Sequence, residues 1–223
     1  MIDQAIILAA GLGQRMRPLT NDIPKPMVKV LGKPIIDYAL EMLQARGIKH
    51  IVVNTHYKAE VLEKHLDGKA IISHEPVLLD TGGGIKQALT YLDASKPVFI
   101  LSGDSILFGG LDELESAWNN DTDILLSLQP LTSMKLTPAV GDYTIRNGKP
   151  VRTPDHSGEY MWNSARIIHP RIFTNTPAGP FSFLPMMDEA QKNGRLGAVI
   201  HNGIWHHLTT PADVESVNKG WHP

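Results

Sequence analysis

The chain has 223 residues, of which 42% are apolar and 20% charged, with 21 Lys plus Arg against 23 Asp plus Glu and no cysteine. A formal charge of −2 excludes the basic excess of a protein that coats nucleic acid. Without cysteine there is no disulfide framework, cysteine-ligated metal or thiol nucleophile. The longest early apolar run, Ala5 to Ala10, is six residues, far short of a membrane span or a signal-peptide core. No membrane partner and a cytoplasmic location are therefore expected.

Residues 2–9 read as a buried strand, and residues 11–26 as a polar loop of a length more often functional than idle. Residues 34–46 carry Ile35, Tyr38, Ala39, Met42 and Leu43 at helical spacing, opened by Pro34 and closed by Gly47. Strands are predicted at 48–53, 70–73 and 97–102, with helices at 58–66 and 84–92 between them. This alternation implies parallel strands joined by right-handed crossovers.

Beyond Asp104 the pattern changes to a helix at 111–118 and strands at 123–128, 143–146 and 160–168, expected as antiparallel additions. A helix at 183–192, strands at 197–201 and 205–208 and a last helix at 212–219 complete the chain. No repeat and no low-complexity linker divides it. The expected fold is one α/β domain over residues 1–223, a Rossmann-like α/β/α sandwich with a mixed, mostly parallel sheet. Ligands in such sheets sit beyond the carboxyl ends of the strands, so the loops after Ala9, Ser73 and Ser102 should converge on one site.

The run Leu8-Ala9-Ala10-Gly11-Leu12-Gly13-Gln14-Arg15-Met16 follows a strand, but Met16 stands where a dinucleotide fingerprint needs its third glycine. The Gly-Lys pairs at Gly32, Gly68 and Gly148 are followed by proline, alanine and proline, which excludes a P-loop. No Gly-x-Ser-x-Gly elbow and no His-Glu-x-x-His helix occurs. Even so, Ala9, Ala10, Gly11 and Gly13 leave backbone N–H groups open to a phosphate or a base edge. Arg15, Arg17 and Lys25 add positive charge over the same loop.

The whole run from Leu8 through Arg15, Met16, Pro18, Leu19 and Thr20, followed by Pro24-Lys25-Pro26-Met27 and Gly32-Lys33-Pro34, closely resembles the sugar-phosphate nucleotidyltransferase family. The resemblance implies that residues 1–110 form a nucleotide-binding half and residues 111–223 a sugar-phosphate-binding half. It implies that Leu8, Ala9, Ala10, Gly11 and Gly13 wrap a nucleoside triphosphate, with Arg15 and Lys25 on its phosphates. Asp80-Thr81-Gly82-Gly83-Gly84-Ile85 resembles the family's second glycine segment, which would set Gly82 and Gly83 beside the base at a helix amino end. Its Thr-Gly-Gly-Gly-Ile is similar to the N-acetylmuramate 1-phosphate uridylyltransferase branch, which favours UTP. Glu75 is a further candidate near the nucleotide.

Residues 98–101 run into Ser102-Gly103-Asp104-Ser105, placing an acid just past a strand end where a Mg²⁺ ligand beside phosphates belongs. In relatives a second aspartate lies in a Trp-x-Asp-x-Gly-Thr context. Here the stretch reads Trp205-His206-His207-Leu208-Thr209-Thr210, with His207 in the aspartate's place. Imidazole suits Mn²⁺ better than Mg²⁺. Asp104 is thus the expected primary ligand, with His207 on the metal, on a water or phosphate, or outside the site.

The implied reaction is attack by a sugar 1-phosphate oxygen on the α-phosphate of UTP, with release of pyrophosphate. The phosphate is already largely dianionic, its second pKa being about 6, so no general base is required. Asn163, Glu159, Trp162 and Trp205 are the candidates for holding the sugar. Alternatives in the same class are mannose or heptose 1-phosphate guanylyltransferases and a phosphocholine cytidylyltransferase, and one of another class is a non-catalytic nucleotide-sugar-binding protein. A monomer or homodimer is expected, without the β-helix that larger relatives append.

Overall fold

The computed structural model describes residues 1–134 and 139–220. At its centre lies β1 (Gln4–Leu8), buried on both faces, so it must be an inner parallel strand covered by helices on either side. It pairs in parallel with β4 (His50–Thr55) and β6 (Val98–Ser102), and β4 pairs in parallel with β5 (Ile71–His74). The crossovers are α1 (Ile35–Ala45), α2 (Ala59–Leu66) and α3 (Asp80–Ala88). A small hairpin of β2 (Lys29–Val30) and β3 (Lys33–Pro34) precedes α1.

After β6 come β7 (Ile106–Leu107), α4 (Leu111–Ala117), β8 (Ile124–Pro130), β9 (Tyr143–Arg146), β10 (Lys149–Arg152) and β11 (Tyr160–Ile168). The remaining elements are α5 (Leu184–Lys192), β12 (Leu196–Ile200), β13 (Trp205–His206) and α6 (Pro211–Gly220). The main sheet runs β10-β9-β11-β6-β1-β4-β5, with β8 also paired to β11 and β12 to β8. β11 is antiparallel to both β6 and β8, whereas β12 is parallel to β8. The result is a single-domain α/β fold with a mixed, mostly parallel central sheet.

Strand alternation divides the core. Ala5, Ile7, Val53, Phe99 and Leu101 pack with Leu40, Leu43, Leu62, Leu66 and Leu114 on the α1, α2 and α4 side. Ile6, Val52 and Ile100 pack with Ile85, Ala88, Met186, Met187 and Ala190 on the α3 and α5 side. A third cluster joins Met16, Val28, Val30 and Ile35 to Ile106, Leu208, Val214 and Val217, anchoring the loop after β1 to α6.

Three local features differ from the sequence expectation. The loop at 11–26 holds short 3₁₀ turns at Gln14–Met16 and Lys25–Met27. The strand at 143–146 continues into β10 through Asn147 and Gly148, both at positive φ, the Asn-Gly signal of a tight hairpin. The helix predicted at 84–92 starts earlier, at Asp80, because its glycines pack inward. A Cβ on Gly82 would lie 2.5 Å from the Phe181 ring, and one on Gly83 2.5 Å from the Gly179 carbonyl. Low helix propensity is outweighed by this close approach of the segment around Gly179 to Phe181.

Gly83→Ala is therefore expected to lower the Tm through a loss of about 1–3 kcal/mol. Gly11→Ala, whose Cβ would meet nothing within 4 Å, should leave the Tm unchanged. Thermal unfolding of the two variants separates these cases, and an unshifted Gly83→Ala would contradict the packing.

Candidate active site

The carboxyl ends of β1, β4 and β5 are locked together by one buried relay. The Ala9 N–H donates to Asn54 Oδ1 at 2.7 Å, and Asn54 Nδ2 donates to Glu75 Oε1 at 2.8 Å. Glu75 Oε2 accepts the Leu79 N–H at 2.9 Å, which reaches the residue just ahead of α3. Both Asn54 and Glu75 are buried, so each polar atom of the relay needs its partner. Gly84 lies directly beneath, where a Cβ would come within 2.6 Å of Glu75 Oε1 and 2.8 Å of Asn54 Nδ2.

Above this floor the loop after β1 turns at Gly13, whose φ is +61°. The Gly13 carbonyl accepts the Thr20 hydroxyl at 2.8 Å and the Met16 N–H at 3.0 Å. Thr20 and Met16 are buried, and the Tyr57 hydroxyl donates to the Thr20 carbonyl at 2.9 Å. The loop is therefore a fixed cradle. It leaves Gly11 and Arg15 exposed and draws Lys25 inward.

Lys25 Nζ donates to Asp104 Oδ2 at 2.7 Å, and the Ser102 hydroxyl donates to Asp104 Oδ1. Burial raises the Asp104 carboxyl, but the Lys25 ammonium and the hydrogen bonds from Lys25 and Ser102 outweigh it and hold the carboxyl below the usual carboxylate range. When protonated, His207 adds to that stabilisation, which places it in the electrostatic reach of Asp104. Its own pKa is lowered, first by burial and then by Lys25 and Arg15, against the opposing pull of Asp104. The imidazole is thus neutral at pH 7. Its ring stacks on Trp205 at 5.1 Å between centroids.

Leu8, Ala9, Ala10, Gly11, Gly13, Arg15, Lys25, Glu75 and Asp104 all line one cleft of about 900 Å³, together with Asn54, Asp80, Thr81, Ser102 and Thr209. The loops after β1, β5 and β6 meet there. Gly82 and Gly83 are not part of its lining, and their N–H groups donate to the Phe181 carbonyl at 2.9 and 3.2 Å. It is Asp80 and Thr81 of that segment that face the cleft.

The far wall comes from a bulge in β11. Trp162 faces Leu128 and Arg166 faces Leu126, so Asn163, Ser164 and Ala165 together oppose Ser127 alone. Asn163 is spent on this bulge. Its Nδ2 donates to Ser127 Oγ at 2.9 Å, and its Oδ1 accepts the Ala165 N–H at 3.1 Å. Trp162, Ser164 and Arg166 face the cleft instead. Glu159 accepts the Thr144 hydroxyl at 2.5 Å, and neither it, Trp205 nor His207 belongs to the lining. The sequence offered no sign of the Asn54 relay or of Arg166, because their roles depend on pairing across strands.

Chemically the cleft can accept a polyanion against backbone N–H groups, Arg15 and Lys25, with a hard carboxylate at the same end. Among the described residues no three His, Cys, Asp or Glu side chains cluster to cage a metal.

Residues 4–133 match the family described as nucleotidyl transferase. An N-acetylmuramate alpha-1-phosphate uridylyltransferase of Caulobacter vibrioides is 38% identical over 93% of this chain and 92% of its own length. One of Neisseria meningitidis serogroup B is 32% identical over 93% of each. The solved structure of HddC from Yersinia pseudotuberculosis, complexed with GMP-PN, matches with a TM-score of 0.77 at 25% identity over 98% of this chain and 99% of its own. The inositol-1-phosphate CTP transferase from T. maritima shares the fold, with a TM-score of 0.77 at 20% identity over 100% of this chain and 98% of its own. With this agreement of sequence, fold and cleft, the chain belongs to the nucleotidyl transferase family as a sugar-1-phosphate nucleotidyltransferase.

Proposed function

We propose that the chain condenses UTP with N-acetylmuramate 1-phosphate to give UDP-N-acetylmuramate and pyrophosphate, a step that recovers a cell-wall sugar in the cytoplasm. The observation that carries this reading is the cleft in which the loop from Leu8 to Met16, Lys25 and Asp104 meet. The choice of nucleotide and sugar follows the two relatives that align over nearly the whole chain.

An oxygen of the sugar phosphate forms a bond to the α-phosphorus while the bond to the bridging oxygen of the β-phosphate breaks, and the electron pair leaves with pyrophosphate. The attacking phosphate is largely dianionic above its second pKa of about 6, so no side chain has to remove a proton. Arg15 and Lys25 neutralise the charge that builds up, and the rigid loop fixes the line of attack. Asp80 and Thr81 take the place of Gly82 and Gly83 as the α3 residues beside the nucleotide, with Glu75 acting through the relay.

Mg²⁺ binds through one or two carboxylates and otherwise keeps waters and substrate phosphates. The ionised Asp104, with its hard oxygens and no cluster of three candidate ligands among the described residues, fits that habit. When bound, the ion supplies charge stabilisation at the phosphates. His207, within electrostatic reach of Asp104, would contribute as a neutral imidazole, which favours Mn²⁺. The Lys25 ammonium then exchanges its hold on Asp104 for substrate phosphate.

Pyrophosphate release from UTP, GTP, CTP and dTTP, each paired with N-acetylmuramate 1-phosphate, mannose 1-phosphate and phosphocholine, tests the reading. UTP with the muramate is expected to exceed every other pair. Faster turnover of GTP or CTP would overturn the uridylyl assignment, and binding without any pyrophosphate would indicate a non-catalytic protein. Asp104→Asn should lower kcat by about 100- to 1,000-fold with an unchanged circular dichroism spectrum; wild-type rates would remove Asp104 from the metal site. His207→Ala should lower kcat and change the ratio of the Mn²⁺ to the Mg²⁺ rate. If neither moves, His207 is only a neighbour.

A further inference from the structure

Arg166 is a cation buried on an otherwise apolar face. Its cross-strand neighbours Ile100 and Leu126 belong to the α3 and α5 core, and the side chain is only 1% exposed. The guanidinium lies 4.8 Å over the Trp162 ring and 4.6 Å over Phe183. Nη1 donates to the Ser164 carbonyl at 2.8 Å, where Ser164 holds a φ of 70° in the bulge. Nε and Nη2 are buried and have no hydrogen-bond partner among the described residues. A second buried donor near it, the Tyr143 hydroxyl, also lacks one.

Unpaired buried charges are costly, and native proteins satisfy them or use them. Burial pushes Arg166 down to about 9, so it remains cationic at neutral pH. Among the described residues Tyr143 is the titratable group whose charge acts on it. The Lys25–Asp104 pair marks the end of the cleft where the phosphates react. Yet Arg166, Trp162 and Ser164 line that same cleft.

The two vacant nitrogens form one edge of the guanidinium fork, which matches a planar carboxylate. Arg152 shows the match within this chain, with Nε and Nη2 each 2.6 Å from the Asp188 carboxylate. Resting on the proposed sugar-phosphate chemistry, we propose that the free edge of Arg166 binds a carboxylate carried by the sugar. The enzyme thereby selects acidic sugar 1-phosphates, in N-acetylmuramate through its lactyl ether, over neutral ones. The edge is buried in the free protein beside the Trp162 indole, which must shift for a carboxylate to reach it. The indole is held by a 3.4 Å bond from Nε1 to the Ala165 carbonyl, a weak latch.

The test compares N-acetylmuramate 1-phosphate, its lactyl carboxamide and N-acetylglucosamine 1-phosphate as acceptors with UTP, in the wild type and in Arg166→Met and Arg166→Lys. In the wild type, kcat/KM for the acid should exceed that for its amide by about 10- to 100-fold, chiefly through KM. Arg166→Met should erase that preference, and Arg166→Lys should restore part of it, since lysine has the charge without the fork. Equal use of acid and amide by the wild type, a readout that needs no variant to fold, overturns the assignment and leaves uridylyl transfer standing. A preference that persists in Arg166→Met also overturns it. If no sugar phosphate is turned over with UTP, both readings fall.

Discussion

The cleft depends on a single buried hydrogen-bonded relay, from the Ala9 N–H through Asn54 and Glu75 to the Leu79 N–H. Three neighbouring parallel strands end within a residue of one another, with Leu8 opposite Asn54 and Thr55 opposite His74, and carry loops of unrelated sequence. Without a shared tie their ends could shift independently. The relay uses one amide and one carboxylate, each satisfied on both sides, in a region where a missing partner would cost about 1–3 kcal/mol. Its presence explains the glycine at position 84, since any side chain there would strike Asn54 and Glu75. It also explains how a loop rich in small residues can form a rigid phosphate cradle: its first residue is clamped, and its turn is held by Thr20 and Tyr57.

The electrostatics follow from that rigidity. A chain with a formal charge of −2 can hold a triphosphate only by concentrating cations locally. Lys25 and Arg15 do so at the edge of the cradle, and Asp104 keeps Lys25 from being a buried, unpaired ammonium in the free protein. At the opposite wall the arrangement is reversed. Arg166 has aromatic rings in place of a carboxylate, and two of its nitrogens have no hydrogen-bond partner among the described residues. One cation is thus compensated within the protein and the other depends on what enters the cleft. The contrast suits a reaction with two anionic substrates and no general base.

Much of this was legible in the sequence because the first half is governed by local rules. Apolar runs ending in small residues gave the parallel strands, and the strand ends located Asp104, Glu75 and the loop at Arg15 in one place. The glycine segment at 82–84 was harder. Glycine signals close approach, but not by what, and here Phe181 and Gly179 come from nearly a hundred residues away. The sugar wall was hardest. Asn163 and Arg166 lie three residues apart on one strand, and without the bulge both could be read as ordinary strand positions. Because three residues oppose Ser127, Asn163 faces its neighbours in the sheet while Arg166 lines the cleft. The Asn147-Gly148 turn, by contrast, was a hairpin signal present in the sequence.

The most direct test of the account is a crystal structure of the protein with UDP-N-acetylmuramate and Mg²⁺ or Mn²⁺. It should show the diphosphate along the loop from Leu8 to Arg15, the metal on Asp104, and the sugar between Asp104 and Trp162 with its carboxylate on Arg166. A product whose phosphates lie away from Asp104, or whose uracil rests on Gly82 and Gly83 after displacing Phe181, would contradict it.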